Sequence, residues 1–154
     1  MKNIPDAVPN FIGNEKKYVD DCMDTTWISS VGKYVNQFEE SFANRMTVKH
    51  AIACCNGTVA LHVPLLGLGI KEGDEEILPS FTYIATADCV KYCGATLIFS
   101  DCLQDTWNID PKDIERKITP RTKGIIPVHM YGNPCDMDAI MAIAKKYNLF
   151  VLED

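Results

Sequence analysis

From His50 onward, short apolar runs alternate with stretches whose apolar residues recur at helical spacing. HAIACC precedes TVALHVPLLGLG, EEILP precedes YIATADCVKYCG, TLIFSD precedes PKDIERKI, and KGIIPVH precedes MDAIMAIAKKY; a last apolar run, LFVLED, reaches Asp154. Repeated strand-helix alternation predicts an α/β fold with a mainly parallel sheet sandwiched by helices. Upstream the pattern is irregular and contains proline, then gives a helix over Glu15 to Met23, a loop over TTWISSVGKY, and a helix over Tyr34 to Met46 in which Val35, Phe38 and Phe42 keep helical spacing.

Local signals mark the boundaries. Gly73-Asp74, Cys93-Gly94 and Tyr131-Gly132-Asn133-Pro134 are turn punctuation, and Asp110-Pro111 starts a helix with proline at its first position. Pro64 lies inside a predicted helix, where the missing N–H predicts a kink. The glycines from Gly67 to Gly73 follow a helix, so they read as its terminus; a dinucleotide-binding loop has to follow a strand. LFVLED brings Asp154 to the carboxyl end of a strand, the edge where open parallel sheets place functional residues, and this is the pattern expected of the front part of a larger protein.

Composition narrows the chemistry. The 154 residues are 47% hydrophobic and 23% charged, enough for one buried core, and 15 basic against 21 acidic side chains give a net charge of -6, a field that repels nucleic acid. No signal-like or bilayer-length apolar run is present, which predicts a cytoplasmic protein without a membrane partner. The seven cysteines lack paired spacing and read as reduced, mostly buried thiols, with Cys54-Cys55 ending a buried strand. Cys89 and Cys93 share a helical face, yet no third ligand lies at motif spacing, so no metal is expected. In a reducing compartment Asn56-Gly57-Thr58 is not a glycosylation site.

That tripeptide sits where a predicted strand gives way to a helix. Gly57 permits close backbone approach, the first helical N–H groups are unpaired, and Thr58 carries a hydroxyl; the same residues also read as a simple helix cap by Asn56 or Thr58. Tyr83 opens another helix after EEILP and offers an aromatic face, for a flat ligand or for ordinary packing. Asp154 supplies a carboxylate that can pair with a cationic ring nitrogen or cap the next element of the chain. Phosphate cradle, aromatic platform and carboxylate, each at a strand's carboxyl end, match the demands of pyridoxal 5'-phosphate. His129 ends KGIIPVH and can hydrogen-bond near such a pocket, although a structural role is the stronger reading, and His62 reads as a packing residue.

NGTVALH, LGLGIKEGDEEILPSFTYIATADCV, YCGATLIFSDC, NIDP, TPRTKGIIPVHMYGNPCDMD and VLED together closely resemble the DegT/StrS family of sugar aminotransferases, from about Ile12 to Asp154. TTWISSVGKYVNQFEESFA is most similar to the perosamine-forming branch, which aminates GDP-4-keto-6-deoxymannose. The resemblance implies the large domain of a fold-type I transferase, with a helix and substrate-loop segment over residues 1–33 and the front part of the cofactor domain over 34–154. Gly57, Thr58 and Val59 would hold the cofactor phosphate, Tyr83 would stack on the ring, and Asp154 would face the ring nitrogen. Thr26, Trp27 and Ser29 would border the sugar, with His129 as a further substrate-side candidate. L-glutamate would be the amino donor, a homodimer the working form, and surface polysaccharide such as O-antigen the destination. The family's Schiff-base lysine is expected beyond Asp154, since Lys71, Lys91 and Lys123 do not lie in its motif, so residues 1–154 alone are expected to be inactive. A sugar 3-dehydratase of the same fold, which has histidine at that position, and a non-catalytic binding module are the alternatives.

Overall fold

The strand EEILP organises the larger part of the molecule, because its side chains alternate between two apolar layers. In this computed structural model, which describes Pro5 and residues 8–154, the rest of the irregular start (residues 1–4, 6 and 7) lies outside the described residues. Two compact units result, Met1–Ala53 and Cys54–Asp154.

In the second unit, α3 (Gly57–Gly67), β1 (Glu75–Pro79), α4 (Ile84–Tyr92), β2 (Thr96–Ser100), α5 (Pro111–Lys117), β3 (Thr122–Ile125), α6 (Met137–Tyr147) and β4 (Phe150–Val151) follow in that order. The sheet is fully parallel with strand order β2-β1-β3-β4. Ile77 faces one core, with Ile98, Ile114, Ile125, Ile140 and Val151; Leu78 faces the other, with Leu61, Leu65, Val90, Leu97, Ile126 and Leu152. Thus α3 and α4 cover one face while α5 and α6 cover the other, as the alternation predicts. Right-handed crossovers require it, since the chain moves one way from β1 to β2 and the opposite way from β2 to β3.

Several boundaries behave as their residues dictate. Asp110 caps α5 through Lys112 N–H with Pro111 at the first position, and Asp136 caps α6 through Ala139 N–H. Gly69, Gly73, Gly94 and Gly132 all take positive φ at turns. The helix α3 continues through Pro64 to Gly67, with Leu61 and Leu65 packed into the core on either side of it. Packing on the sheet offsets the missing hydrogen bond.

Three expectations fail. HAIACC is not a strand: no ladder partner lies beside it among the described residues, Ala53 N–H donates to Glu39 Oε1 at 2.8 Å, and Ile52 is exposed. An apolar run without a neighbouring edge has nowhere to satisfy its backbone as a strand. Nor are the thiols mostly buried, as expected: Cys54 and Cys55 are exposed, Cys22, Cys93 and Cys102 half-buried, and only Cys89 and Cys135 buried, although all seven are free. KGIIPVH and LFVLED pair regularly only to Ile125 and Val151, because Pro127 has no N–H to give. Single bonds continue the pairing: Leu152 N–H to Ile125 O at 3.0 Å and Asp154 N–H to Pro127 O at 2.9 Å.

The first unit holds α1 (Glu15–Thr25) and α2 (Lys33–Met46). Tyr18 and Tyr34 pack in a tilted arrangement with ring centroids 4.9 Å apart, and Lys33 pairs with Asp21 at 2.6 Å. No described helix is long and apolar enough to cross a membrane.

Charge is buried at the amino ends of the strands. Glu75 is held by Arg121 and the Thr119 hydroxyl, and the Thr119 bond draws its carboxyl below the usual range. Glu76 is fully buried and neither of its oxygens has a hydrogen-bond partner among the described residues. It lies against Gly124, where an added Cβ would come within 2.6 Å of Glu76 Oε2 and 2.3 Å of the Phe150 ring. Burial first, then the charge of Asp74, pushes the Glu76 carboxyl up to about 8 against a partial counter-effect of Lys123. Between 4.5, its ordinary value, and about 8 the folded chain therefore holds a proton that the unfolded chain releases, so stability falls as pH rises through that window. Glu76→Gln should remove this slope and leave the protein roughly 1–3 kcal/mol more stable at pH 8 with little change at pH 4, as read by denaturant titrations across pH 4–9.

Candidate functional site

At the carboxyl edge of the sheet, on the face covered by α3 and α4, a cavity of about 340 Å³ is lined by Asn56, Gly57, Thr58, Leu61, Tyr83, Ala85, Thr86 and Asp154. Four residues singled out from the sequence, Gly57, Thr58, Tyr83 and Asp154, therefore share one site although they lie far apart along the chain. Each arrives there for a local reason.

Gly57 and Thr58 form the first turn of α3, where N–H groups have no carbonyl behind them and the helix dipole is positive. Nothing lies within 4 Å of where a Gly57 Cβ would be, so the turn opens on space. Val59 differs from the expectation of a third open donor: its N–H is already bound to Asn56 Oδ1 at 3.0 Å. Asn56 caps the helix, and an anion on this turn has the Gly57 and Thr58 groups to itself.

Tyr83 precedes α4 in extended conformation and is 76% exposed, so its ring is open to a ligand. Asp154 follows β4 in alternation with Phe150 and Leu152, which turns its side chain to the α3/α4 face. Its backbone is fixed on both sides by Asp154 N–H to Pro127 O and His129 N–H to Asp154 O, both 2.9 Å. Its Oδ2 accepts the Thr86 hydroxyl at 2.6 Å, and Thr86 lies 3.1 Å from the Thr82 hydroxyl. The Cys89 thiol donates to Thr58 O at 3.1 Å; burial, then the Asp154 charge, pushes that thiol up, leaving it a protonated packing group.

His129 is tied down at both nitrogens. Nδ1 accepts the Cys135 N–H at 3.1 Å, so a neutral ring carries its proton on Nε2, which lies 3.0 Å from Glu153 Oε2. Both ring nitrogens thus have partners within the chain, an arrangement compatible with a structural histidine. His62 packs edge-on against Tyr92 at 5.6 Å.

Thr26, Trp27 and Ser29 belong to the first unit. Thr26 ends α1 in left-handed conformation, the Ser29 hydroxyl accepts the Val31 N–H at 3.3 Å, and Trp27 is 56% exposed. Trp27 and Ser29 line a cavity of about 220 Å³ with Ile28, Val31 and Tyr34. Thr86 was not singled out from the sequence, because one hydroxyl in an apolar helical stretch looks ordinary. Its i, i+4 spacing from Thr82 was the available signal.

The residues present fit a phosphorylated, flat, cationic ring: open N–H groups and a hydroxyl for the phosphate, an exposed aromatic face, and a carboxylate beyond it. Residues 9–154 match the model of the DegT/DnrJ/EryC1/StrS aminotransferase family. A GDP-perosamine synthase of Caulobacter vibrioides is 54% identical over 154 residues, all of this chain and 42% of that protein. Among solved structures, an aminotransferase from Psychrobacter cryohalolentis superposes with a TM-score of 0.90 at 44% identity, covering 95% of this chain and 37% of its own. NtdA from Bacillus subtilis, solved with bound cofactor PMP, gives 0.81 at 36% identity, covering 99% and 38%. The chain thus spans 42% of the length of this curated relative.

Asn56→Ala should destabilise the protein by about 1 kcal/mol through loss of the cap while releasing the Val59 N–H into the cavity. Thermal unfolding measures the first effect. Inorganic phosphate protecting the variant against unfolding at least as well as it protects the parent is the second.

Proposed function

The chain belongs to the DegT/DnrJ/EryC1/StrS aminotransferase family, and from that premise we propose that its complete gene product is a pyridoxal-phosphate-dependent aminotransferase acting on a nucleotide-linked 4-keto-6-deoxy sugar. The substrate proposed is GDP-4-keto-6-deoxymannose, with L-glutamate as donor, a cytoplasmic homodimer as the working form and surface polysaccharide as the destination. The observation that carries the reading is the single cavity in which the α3 turn, Tyr83 and Asp154 meet. The likeness to a GDP-perosamine synthase supports the choice of sugar.

In this reading the Gly57 and Thr58 N–H groups and the Thr58 hydroxyl hold the phosphate, assisted by the positive end of α3. The Tyr83 ring would lie against one face of the cofactor. Asp154, lining the same cavity as the helix terminus, would favour a proton on the ring nitrogen by placing a negative charge beside it. When bound, pyridoxal phosphate supplies the electron sink for the carbanion that amino transfer requires. Trp27, with Thr26 and Ser29, is proposed to border the sugar; the exposed indole offers an apolar face for a deoxy sugar ring.

The direct test is to supply the complete gene product with pyridoxal phosphate, L-glutamate and GDP-4-keto-6-deoxymannose, and to look by mass spectrometry for the aminated sugar nucleotide with stoichiometric 2-oxoglutarate. Loss of the 3-hydroxyl without net amination would replace this reading with the dehydratase. Three variants test the site. Asp154→Asn keeps the shape and removes the charge, so turnover should fall roughly a hundredfold or more while cofactor still binds. Thr58→Val should weaken cofactor binding by about 1.5–3 kcal/mol, the worth of a charge-assisted hydrogen bond. Tyr83→Phe should be mild and Tyr83→Ala severe in equilibrium dialysis, because the ring face makes the proposed contact.

A further inference from the structure

We propose that Thr86 is the positioning residue for Asp154, fixing the plane of its carboxylate so that the oxygen left free faces the cofactor ring; this rests on the functional reading above. The backbone of Asp154 is pinned by two hydrogen bonds, but a carboxylate's last torsion is soft, and backbone contacts do not set it. One contact does. The Thr86 hydroxyl donates to Oδ2 at 2.6 Å, within the short range of hydrogen bonds to charged oxygens, and Thr86 is buried.

The direction of the network follows from proton counting. A hydroxyl has a single hydrogen, and that of Thr86 goes to Asp154, so the 3.1 Å contact with Thr82 has Thr82 donating and Thr86 accepting. Threonines in helices commonly turn their hydroxyl back onto a carbonyl of the preceding turn. Thr86 instead reaches a residue 68 positions away. With Oδ2 occupied, Oδ1 is the oxygen available in the cavity that Thr86 and Asp154 both line. Tyr83 stands one turn before Thr86, so the first turn of α4 supplies both the aromatic face and the group that aims the carboxylate.

The test is a double-mutant cycle read by pyridoxal phosphate affinity and by the pH dependence of the bound cofactor's visible spectrum, both measured on the complete gene product without substrate. Thr86→Val, nearly isosteric, should weaken cofactor binding roughly tenfold and shift the spectral titration toward that of Asp154→Asn. Thr86→Ser should restore both to within about twofold. In the Asp154→Asn background, Thr86→Val should change affinity by less than about twofold, since it acts through the charge already removed. An equal loss in both backgrounds, or no loss in either, overturns the proposal. Should Thr86→Val fail to fold, half-buried Thr82→Val carries the same cycle, with a loss of about twofold to threefold that disappears beside Asp154→Asn; a loss that persists there overturns the proposal. A parent protein that does not bind pyridoxal phosphate overturns the functional reading and this one with it, whereas a parent that binds, with Thr86→Val indistinguishable from it, overturns this one alone.

Discussion

Parallel strands cannot be joined by tight turns, and the right-handed crossovers they require bring the carboxyl end of every strand to one edge of the sheet. Most of the second unit depends on that constraint. Because the chain leaves β1 toward β2 and then returns past it to β3, α4 is sent to one face and α5 and α6 to the other. The reversal opens a crevice at the strand ends beside β1, the place where open α/β sheets bind ligands. Tyr83 after β1 and Asp154 after β4 reach it from either side, and the α3 turn closes it from above the same face.

The two edges divide the labour. At the amino edge, Glu75 and Glu76 are buried near Arg121, Asp74 and Lys123, and Gly124 has no side chain because the Phe150 ring and Glu76 occupy its space. These are matters of packing and stability. Asp113 is a structural group at the opposite edge, beside the carboxyl end of β2: burial alone would raise its carboxyl, but Lys117, the Asp101 N–H and Arg116 outweigh it and hold the group well below the usual range. Its contribution is present at neutral pH and is lost on acidification, opposite in sign to that of Glu76.

Periodicity made the architecture legible. Strand-helix alternation is a local consequence of which faces are buried, so EEILP, TLIFS and the four helices after Asn56 could be read from spacing alone. HAIACC misled because an apolar run reports a wish for burial and says nothing of whether an edge is available to pair with. At the site, Tyr83 and Asp154 were legible since each follows a strand, and Gly57 and Thr58 since they open a helix, although the strand expected before them is absent. Asn56 was legible only as one of two candidate caps, the other being Thr58, and geometry is needed to see that its side chain takes the Val59 N–H. Thr86 was harder to read for a stronger reason: its spacing from Thr82 is a faint local signal, whereas its contact with a residue 68 positions away is encoded by no local pattern.

That long-range contact gives α4 a part larger than packing. Thr86 donates to Asp154, and Cys89, three residues later and on the same face, donates to the Thr58 carbonyl. One rigid helix thereby touches both the carboxylate and the turn proposed to hold the phosphate, the two groups whose separation the proposed cofactor would have to match. Two anchors on separate loops would each drift with their own backbone; two anchors read off successive positions of one helix share its rise of about 1.5 Å per residue. Burial keeps the Cys89 thiol protonated and able to donate, and with the Thr86 proton given to Asp154 the Thr82 hydroxyl donates to Thr86 in turn. The spacing of the site is therefore set before any ligand arrives, which is the form of preorganisation that lowers the cost of binding a rigid ring.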